Sequence, residues 1–312
     1  MKLDARFGLR RAEPMSRHTS FHIGGPADYF LRADTIDTLE QAVTAAWAAD
    51  VPCLVFSGGS NVLVADAGIR GLVIENRCRA HHVEPGAANT AILTAESGAT
   101  LPMLAGELAR DGWAGLEWAV GVPGSVGGAV VQNAGAWGHS LADVLLDVEL
   151  LERGPEPGES RQVRRPAGEL GLGYRTSALR EMPAGERSIV LQARFQLRRE
   201  DPKDILARIA GYVQQRTTSQ PRQPNAGSVF RNPRGDYAGR LVEATGLKGH
   251  QIGGAQISPQ HANFIVNRGG ATARDVWALV ELAQEEVRSQ FNVTLVPEIE
   301  RIGDWEEGAG GK

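Results

Sequence analysis

The sequence VGVPGSVGGAVVQNAGAWG, residues 120–138, decides the fold of this chain together with FSGGSNVLV, residues 56–64. In the first stretch glycines alternate with small side chains, so the backbone can approach a ligand where a Cβ atom would collide. In the second stretch Gly58 and Gly59 follow an apolar run and can aim successive N–H groups at an anion. The two stretches together predict a phosphate cradle. The plainer alternative is that these glycines only form turns and tight packing.

Known nucleotide-binding patterns do not explain these glycines. Neither stretch matches G-x-G-x-x-G or G-x-x-x-x-G-K-[ST], which disfavours a Rossmann domain and a P-loop. No G-x-S-x-G pattern is present either, so the sequence shows no nucleophilic serine motif for acyl transfer.

The composition is that of an ordinary globular protein with an excess of glycine. The 312 residues are 42% hydrophobic and 22% charged, and they include 38 glycines. A net charge of -4 and the lack of a Lys/Arg cluster disfavour nucleic-acid binding. We find neither a signal-peptide core nor an apolar run of the roughly 18 residues that a membrane span needs, and expect a cytoplasmic protein. Cys53 and Cys78 lack C-x-x-C spacing and are expected to be reduced structural thiols.

The hydrophobic pattern predicts an α+β fold around the glycine-rich centre. Helical periodicity marks residues 35–50 and 101–111. Strand patterns mark residues 51–56, 71–75, 90–96, 144–152 and 188–198. Residues 154–167 are polar and lie between strand-like runs, which indicates a hairpin connection.

A domain boundary is expected near residues 201–203, where the glycine-rich character stops and Pro202 precedes a helical pattern over residues 205–216. The last long helix, over residues 272–291, places apolar side chains on one face and charged side chains on the other, as core-packing helices do. The glycine-rich tail, residues 306–312, is expected to be disordered and dispensable.

The spacing His18-x-x-x-His22 would place two metal ligands on one face of a helix. The following residues 23–26 break a helix and instead predict a strand and a turn, so we expect no metal site here.

Three polar residues lie in unusual surroundings. Arg175 occupies a glycine-flanked turn and can direct a permanent cation at a carboxylate or phosphate. Ser228 follows Gly227 within a short apolar run, and Glu298 follows Pro297 at the end of the strand-like residues 293–296. Each residue taken alone is more typical of a solvated surface position, and spacing alone does not unite them.

Eight motifs, in their order along the chain, resemble the UDP-N-acetylenolpyruvoylglucosamine reductase family, whose FAD-dependent members complete UDP-N-acetylmuramate in peptidoglycan synthesis. They are TSFHIGGPADYF, FSGGSNVLV, GVPGSVGGAVVQNAGAWG, GYRTSAL, NAGSVFRNP, GLKGHQIGGAQIS, HANFIVN and FNVTLVPEI. The resemblance covers residues 16–303, nearly the whole chain.

The resemblance implies that residues 1–200 form an FAD-binding module of the vanillyl-alcohol-oxidase (PCMH) type, with two subdomains that divide near residues 75–90. Residues 201–303 would form a C-terminal α+β substrate-binding domain, and residues 304–312 a tail. FAD would be bound noncovalently. The residues implied to hold it are Gly58, Gly59, Ser60, Asn61, Pro123, Gly124, Ser125, Val126, Gly128, Asn133 and Gly135.

The family's catalytic positions match the three residues already singled out. Arg175 resembles the arginine that binds the enolpyruvyl carboxylate, Ser228 the proton donor, and Glu298 the acid that supports the developing enolate. The residues implied to contact the UDP-sugar are Tyr174, Asn232, Lys248 and His261.

The chain departs from the family pattern at two places. Ser57 stands where the first glycine of the flavin loop is usual, which is tolerable if only Gly58 and Gly59 need a positive φ angle. The stretch between Arg175 and the strand pattern at residue 188 is too short for the tyrosine-bearing loop of one subgroup. The chain is therefore similar to the shorter subgroup.

The resemblance implies two half-reactions in one pocket, with NADPH as co-substrate and the enolpyruvyl UDP-sugar as substrate. It implies no nucleic-acid or membrane partner, and a monomer or weak dimer. Two alternatives stay open from the residues: another FAD oxidoreductase or oxidase of the same fold, and a non-catalytic flavin or sugar-nucleotide binder.

Overall fold

The computed structural model describes residues 7–156, 158–182 and 187–305. Its secondary structure mixes helices and strands along the whole described chain. The strands are β1 Arg10–Pro14, β2 Pro26–Ala33, β3 Cys53–Phe56, β4 Val62–Val64, β5 Ile69–Asn76, β6 His81–Pro85, β7 Thr90–Glu96, β8 Trp113–Ala114, β9 Gly135–Ala136, β10 His139–Ser140, β11 Leu145–Arg153, β12 Ser160–Pro166, β13 Ile189–Arg199, β14 Gln251–Ile252, β15 Ala255–Ile257, β16 Ile265–Asn267 and β17 Glu300–Ile302. The α-helices are α1 Ile36–Ala48, α2 Leu101–Arg110, α3 Val126–Gln132, α4 Ala178–Glu181, α5 Pro202–Ser219, α6 Ala238–Ala244 and α7 Ala273–Phe291. The α+β prediction is confirmed.

The chain divides into two compact units that alternate along the sequence. Of the described residues, the first unit contains those within 7–10, 30–57 and 72–216, and the second contains residues 11–29, 58–71 and 217–305. The predicted division at residue 201 into a flavin module and a substrate domain is a division by role, and it stays a prediction.

The first unit is built on a six-stranded sheet. Its strand order is β12-β11-β13-β7-β6, with β8 also paired to β13. Strand β7, TAILTAE, alternates half-buried and buried residues, because one face of the strand packs into the core. That core contains Leu93 of β7, Leu104 of α2, Val130 of α3 and Phe195 of β13. In a separate four-stranded sheet, β3 pairs in parallel with β5.

The second unit is centred on helix α7. Its predicted apolar stripe is confirmed, since Val276, Leu279 and Val280 are buried together with Leu63 and Phe230. The antiparallel sheet β14-β15-β16 and the parallel pair β17-β4 also belong to this unit.

Two sets of caps fix the start of α7. Thr272 and Asp275 form a capping box, with each side chain accepting a hydrogen bond of 3.0 Å from the backbone N–H group of the other. The Asp66 carboxylate also accepts hydrogen bonds from the N–H groups of Ala273, at 2.8 Å, and Arg274, at 3.1 Å. A residue near β4 thus ties the long helix to a distant part of the chain.

The remaining predicted helices are confirmed as α1, α2 and α5, with shifts of a few residues at their ends. None of the helices in the described ranges is long and apolar enough to cross a membrane. The predicted disordered tail, residues 306–312, lies outside the described residues.

The hairpin expected at residues 154–167 is confirmed, but its connection is shorter than predicted. Residues 160–166 are strand β12, which pairs antiparallel with β11 from Arg153↔Ser160 to Asp147↔Pro166. The prediction of a wholly turn-forming segment is wrong, because a half-exposed edge strand needs no apolar alternation.

The prediction of a strand at residues 293–296 is wrong, because the structure has no strand there. The Arg231 N–H group donates to the Val296 carbonyl oxygen at 2.9 Å, and the next contact is an isolated bridge between Phe230 and Pro297. Because proline has no N–H group, a ladder does not continue past this point.

The strand predicted around His18 and His22 is also wrong. His18 follows the 3-10 helix Met15–Arg17, His22 has a φ angle of 56°, and the strand β2 begins only at Pro26. The His18 Nε2 atom lies 3.0 Å from Glu13 Oε1. Within the described ranges, no three His, Cys, Asp or Glu side chains are grouped as metal ligands.

Candidate active site

The loop after β3 places its two glycines in different environments. Gly59 has a φ angle of 54°, and a Cβ atom there would lie 2.7 Å from the His18 carbonyl oxygen. The Ser20 N–H group donates to the Gly59 carbonyl oxygen at 3.2 Å. Gly58 has no left-handed φ angle, and no described atom lies within 4 Å of the position of its missing Cβ. Gly59 is therefore required by backbone packing, whereas Gly58 leaves open space. Of residues 57–59 only Gly59 has a left-handed φ angle, so the serine at position 57 is tolerated, as expected.

Asn61, at the end of this loop, bonds to the C-terminal segment. Its Nδ2 atom donates to the Glu298 carbonyl oxygen at 3.1 Å. Its own carbonyl oxygen accepts a hydrogen bond of 2.9 Å from the Glu300 N–H group. The structure thus brings together two of the predicted site residues, Asn61 and Glu298.

The second glycine stretch turns into helix α3. Gly124 has a φ angle of 125°, and the Ser125 side chain caps the helix by accepting from the Gly128 N–H group at 3.5 Å. The Val126 N–H group donates to Ala99 at 2.9 Å, so this N–H group is already used within the protein. A Cβ atom on Gly127 would lie 3.0 Å from the Ser97 Cβ atom, whereas one on Gly128 would meet only Ser125 Oγ, at 3.8 Å. Gly127 is a packing glycine, and Gly128 faces open space.

The segment after α3 is held against the turn that carries Arg175. Asn133 has a left-handed φ angle of 44°, and its Nδ2 atom donates to the Gly173 carbonyl oxygen at 2.9 Å. The Arg175 Nη2 atom donates to the Gly135 carbonyl oxygen at 2.6 Å. The Arg175 guanidinium lies 5.5 Å from the centre of the Tyr174 ring, whose side chain is exposed. Predicted flavin and substrate residues of the first unit therefore form one cluster.

The backbone brings Ser228 and Glu298 close together in the second unit. The Glu298 N–H group donates to the Val229 carbonyl oxygen at 2.7 Å, next to the Phe230–Pro297 bridge. The φ angle of Gly227 is 78°, a value that favours glycine immediately before Ser228. The proton donor and the acid predicted from the sequence thus lie on neighbouring segments.

Asn263 fixes this arrangement, and the sequence reasoning missed it. Its buried amide donates from Nδ2 to the Phe230 carbonyl oxygen and accepts at Oδ1 from the Phe230 N–H group, both at 2.9 Å. Its backbone carbonyl accepts from the Val229 N–H group at 2.8 Å. The position of an asparagine inside the apolar motif HANFIVN was the available signal, since buried amides are normally hydrogen-bonded.

The predicted UDP-sugar residues of the second unit surround helix α6. Asn232 Oδ1 accepts from the Ala238 N–H group at 3.0 Å, and Lys248 Nζ pairs with Glu243 Oε1 at 2.8 Å. The His261 Nδ1 atom accepts from the Asn263 N–H group at 3.2 Å. Burial lowers the pKa of His261, and the positive charge of Lys248 lowers it further. This imidazole is therefore expected to be neutral near pH 7.

Comparison with known proteins identifies the family. Residues 27–154 match the FAD binding domain, and residues 220–302 match the UDP-N-acetylenolpyruvoylglucosamine reductase C-terminal domain. The UDP-N-acetylenolpyruvoylglucosamine reductase of Chloroflexus aggregans is 46% identical over 305 residues, which cover 97% of this chain and 100% of that protein. The chain belongs to the UDP-N-acetylenolpyruvoylglucosamine reductase family.

Two further relatives agree. The reductase of Rubrobacter xylanophilus is 44% identical, with 94% of each chain covered. The crystal structure of UDP-N-acetylenolpyruvylglucosamine reductase from Thermus caldophilus matches with a TM-score of 0.77 and 34% identity, covering 94% of this chain and 98% of that one. The family resemblance seen in the sequence is confirmed.

Membership of the UDP-N-acetylenolpyruvoylglucosamine reductase family fixes the activity. The chain is an FAD-dependent oxidoreductase that uses NADPH and acts in the synthesis of peptidoglycan precursors, and its substrate is a UDP-sugar. These matches favour the reductase over both alternatives, another FAD oxidoreductase or oxidase of the same fold and a non-catalytic flavin or sugar-nucleotide binder.

The chain also fits the cofactor of the reductase family. In each unit one glycine leaves room for a close approach: Gly58 with no described atom within 4 Å of its Cβ position, and Gly128 with only Ser125 Oγ at 3.8 Å. A phosphate needs such unshielded backbone, because a side chain would hold it away from the N–H groups.

Proposed function

We propose that Arg175, Ser228 and Glu298 carry out the reduction of the enolpyruvyl group. The observation that carries this proposal is the 2.7 Å hydrogen bond from the Glu298 N–H group to the Val229 carbonyl oxygen, which places the acid beside the segment of Ser228. Arg175 lies in a turn that is fixed by its bond to Gly135.

Arg175 binds the carboxylate of the enolpyruvyl group. Addition of hydride to the β carbon of a double bond conjugated with a carboxylate places negative charge on the carboxylate oxygens. A guanidinium carries a permanent charge and a planar fork of donors, which matches those two oxygens. A fixed cation of this kind stabilises the transition state more than the ground state, because the charge develops during the reaction.

Ser228 gives a proton to the α carbon, and Glu298 hydrogen-bonds the developing enolate. A serine hydroxyl is a weak acid at its ordinary pKa, but an enolate is basic enough to take its proton when water is excluded. A relay from a neighbouring group then restores the serine proton. Glu298 suits the supporting role because its backbone is bonded on both sides.

The residues that would hold the cofactor are Gly58, Gly59 and Ser60 of residues 56–64, and Pro123, Gly124, Ser125, Val126, Gly128, Asn133 and Gly135 of residues 120–138. The chemistry that bound FAD would supply is transfer of a hydride equivalent from NADPH to the β carbon of the enolpyruvyl double bond. This hydride and the proton from Ser228 together complete the reduction. Tyr174, Asn232, Lys248 and His261 contact the UDP-sugar, with Lys248 suited to its phosphates. Gly58 and Gly128 support the cofactor assignment, since both face open space.

The enzyme works in the cytoplasm as a monomer or weak dimer. Analytical ultracentrifugation over a range of concentrations tests the state of association, and a stable higher oligomer would contradict it.

The visible spectrum of the purified protein tests the proposed function. We expect flavin bands, release of yellow FAD on denaturation, bleaching by NADPH without oxygen, and recovery of the bands when the enolpyruvyl UDP-sugar is added. The amount of UDP-N-acetylmuramate formed, identified by its mass, should equal the amount of flavin that is reoxidised. Variants of Arg175, Ser228 and Glu298 that all retain full activity would refute the assigned roles.

A further inference from the structure

The side chain of Asn61 bonds to the backbone around Glu298. Its Nδ2 atom donates to the Glu298 carbonyl oxygen at 3.1 Å, and its own carbonyl oxygen accepts from the Glu300 N–H group at 2.9 Å. Both bonds lie within the second unit. They hold the acid from its C-terminal side.

On the N-terminal side, the Glu298 N–H group donates to the Val229 carbonyl oxygen at 2.7 Å, next to the bridge between Phe230 and Pro297. Residues 298 and 299 lie between the bridge at Pro297 and the start of β17 at Glu300, so no regular ladder holds them. The backbone hydrogen bonds on either side of Glu298 therefore contribute to the direction in which its side chain leaves the backbone. An amide suits the Asn61 position because a carboxylate of the same shape cannot donate to a carbonyl oxygen.

We infer that Asn61 is a positioning residue that aims Glu298, and that its side-chain amide nitrogen serves the acid and not the cofactor. The inference rests on the proposed role of Glu298. It revises the sequence-based assignment of the Asn61 side chain to FAD. It also connects cofactor binding with acid positioning, because the loop that carries Gly58 ends at Asn61, which orients Glu298.

The test compares Asn61→Asp with a matched control, Asn267→Asp. In the control residue the Nδ2 atom donates to the Phe21 carbonyl oxygen at 3.0 Å, a bond of the same type in the same unit. Both variants are measured as holoenzymes, with flavin content, thermal midpoint and the rates of the two half-reactions by stopped-flow absorbance.

We expect Asn61→Asp to keep FAD and its reduction by NADPH within about twofold, and to slow reoxidation by substrate by roughly 10-fold to the 10²-fold that a misplacement of about 1 Å can cost. Asn267→Asp should lower the thermal midpoint comparably without slowing reoxidation. In a Glu298→Gln background the Asn61→Asp change should add less than about threefold, because the residue it positions is already disabled.

Hydrogen exchange of the apoprotein gives a readout without flavin. Asn61→Asp should speed exchange in the peptide that contains residues 298–300, and Asn267→Asp should not. Asn61→Ala serves the same comparison if the aspartate variant folds poorly.

Loss of FAD from Asn61→Asp, equal slowing of both half-reactions, or full additivity with Glu298→Gln would overturn the inference and return Asn61 to the cofactor site. If Glu298→Gln slows reoxidation while Asn61→Asp does not, the positioning role alone fails. If Glu298→Gln itself has no effect, the proposed role of Glu298 fails and this inference falls with it.

Discussion

The Arg175 Nη2 atom donates a hydrogen bond of 2.6 Å to the carbonyl oxygen of Gly135. Arg175 also has a φ angle of 55°, which is uncommon for a residue with a side chain. Such backbone strain persists only where the surroundings hold it, and it concentrates at functional sites. The bond explains how this turn keeps the guanidinium in one place.

Replacing Arg175 by Lys should keep a positive charge but lose the planar fork. We expect reoxidation of the reduced enzyme by substrate to slow by about 10²-fold, the lower end of what loss of one oriented donor costs. Stopped-flow absorbance measures this rate. Arg79→Lys, on an exposed stretch of the same unit, is the control and should have no effect. An equal loss in the control would mean that the slowing does not come from the fork of Arg175, and a full rate in Arg175→Lys would mean that the positive charge alone suffices.

Neighbouring glycines in helix α3 should separate cofactor binding from stability. Gly128→Val should abolish FAD retention with little change in the stability of the apoprotein, because its Cβ meets only Ser125 Oγ at 3.8 Å. Gly127→Val should instead lower the thermal midpoint, because its Cβ would lie 3.0 Å from the Ser97 Cβ atom. Gly211→Val, on helix α5 with open space around it, is the control. Flavin absorbance per protein and thermal melts distinguish the three, and full flavin in Gly128→Val would exclude this loop from the cradle.

Ser228→Ala should separate the two half-reactions. No serine proton is needed when NADPH delivers its electrons, so flavin reduction should stay nearly intact. Reoxidation by the enolpyruvyl substrate should slow by roughly 10²-fold to 10⁴-fold, the usual effect of losing a positioned general acid. Ser228→Cys, with a more acidic group of similar shape, should recover part of the rate. Stopped-flow spectra at matched occupancy decide this, and equal slowing of both halves would make Ser228 a structural residue.

Glu117 should contribute to stability against acid. Burial alone would raise the pKa of this carboxyl, but hydrogen bonds from the Gly115 N–H group, at 2.6 Å, and from Arg208 Nη2, at 2.8 Å, bring the pKa below its ordinary value. A lowered pKa in the folded state gives stability that is present above the ordinary carboxyl pKa and is lost as the pH falls through the lowered one.

The wild type is compared with Glu117→Gln and with a control, Glu84→Gln, which removes an exposed carboxylate of the same unit. As the pH is lowered from about 7 to 3, the urea midpoint should fall more steeply for the wild type and the control than for Glu117→Gln. Parallel profiles for the wild type and Glu117→Gln would show that Glu117 contributes nothing to this pH dependence.

Both cysteines should be unreactive in the native state. Burial raises the pKa of Cys53 and of Cys78 to about 12, so both thiols stay protonated at pH 8. Since only the thiolate reacts, a thiol reagent should label neither cysteine until the protein is unfolded. Mass spectrometry after brief labelling checks this, and rapid modification of either cysteine in the folded enzyme would contradict it.

The parts of the fold that the sequence predicted are those with a strong apolar period. Helix α7 and strand β7 each bury one face. Their apolar residues therefore recur about every 3.6 residues in the helix and every two residues in the strand. Strand β12, SRQVRRP, lies at a sheet edge with both faces largely exposed, so it carries no such repeat. Residues 293–296 carry a strand-like apolar run, but they are not a strand, and the segment reaches its neighbour through an isolated bridge between Phe230 and Pro297.

In the candidate site, the residue types were predictable and the hydrogen bonds that fix them were not. The motifs singled out Arg175, Ser228 and Glu298, but Asn263 and the amide of Asn61 act through backbone groups far away in sequence. Bonds of this kind leave no local pattern, since any segment offers the same carbonyl and N–H groups.

The alternating order of the two units has a consequence for synthesis on the ribosome. Residues 11–29 and 58–71 of the second unit are made early, yet β4 pairs with β17, near the end of the described chain. These early segments wait for the last part of the chain before they can bury their apolar side chains, and contacts so distant in sequence form slowly. Protease treatment of stalled nascent chains should show residues 58–71 protected only after residue 302 has emerged. The newborn enzyme therefore carries an unfinished core through nearly all of its translation.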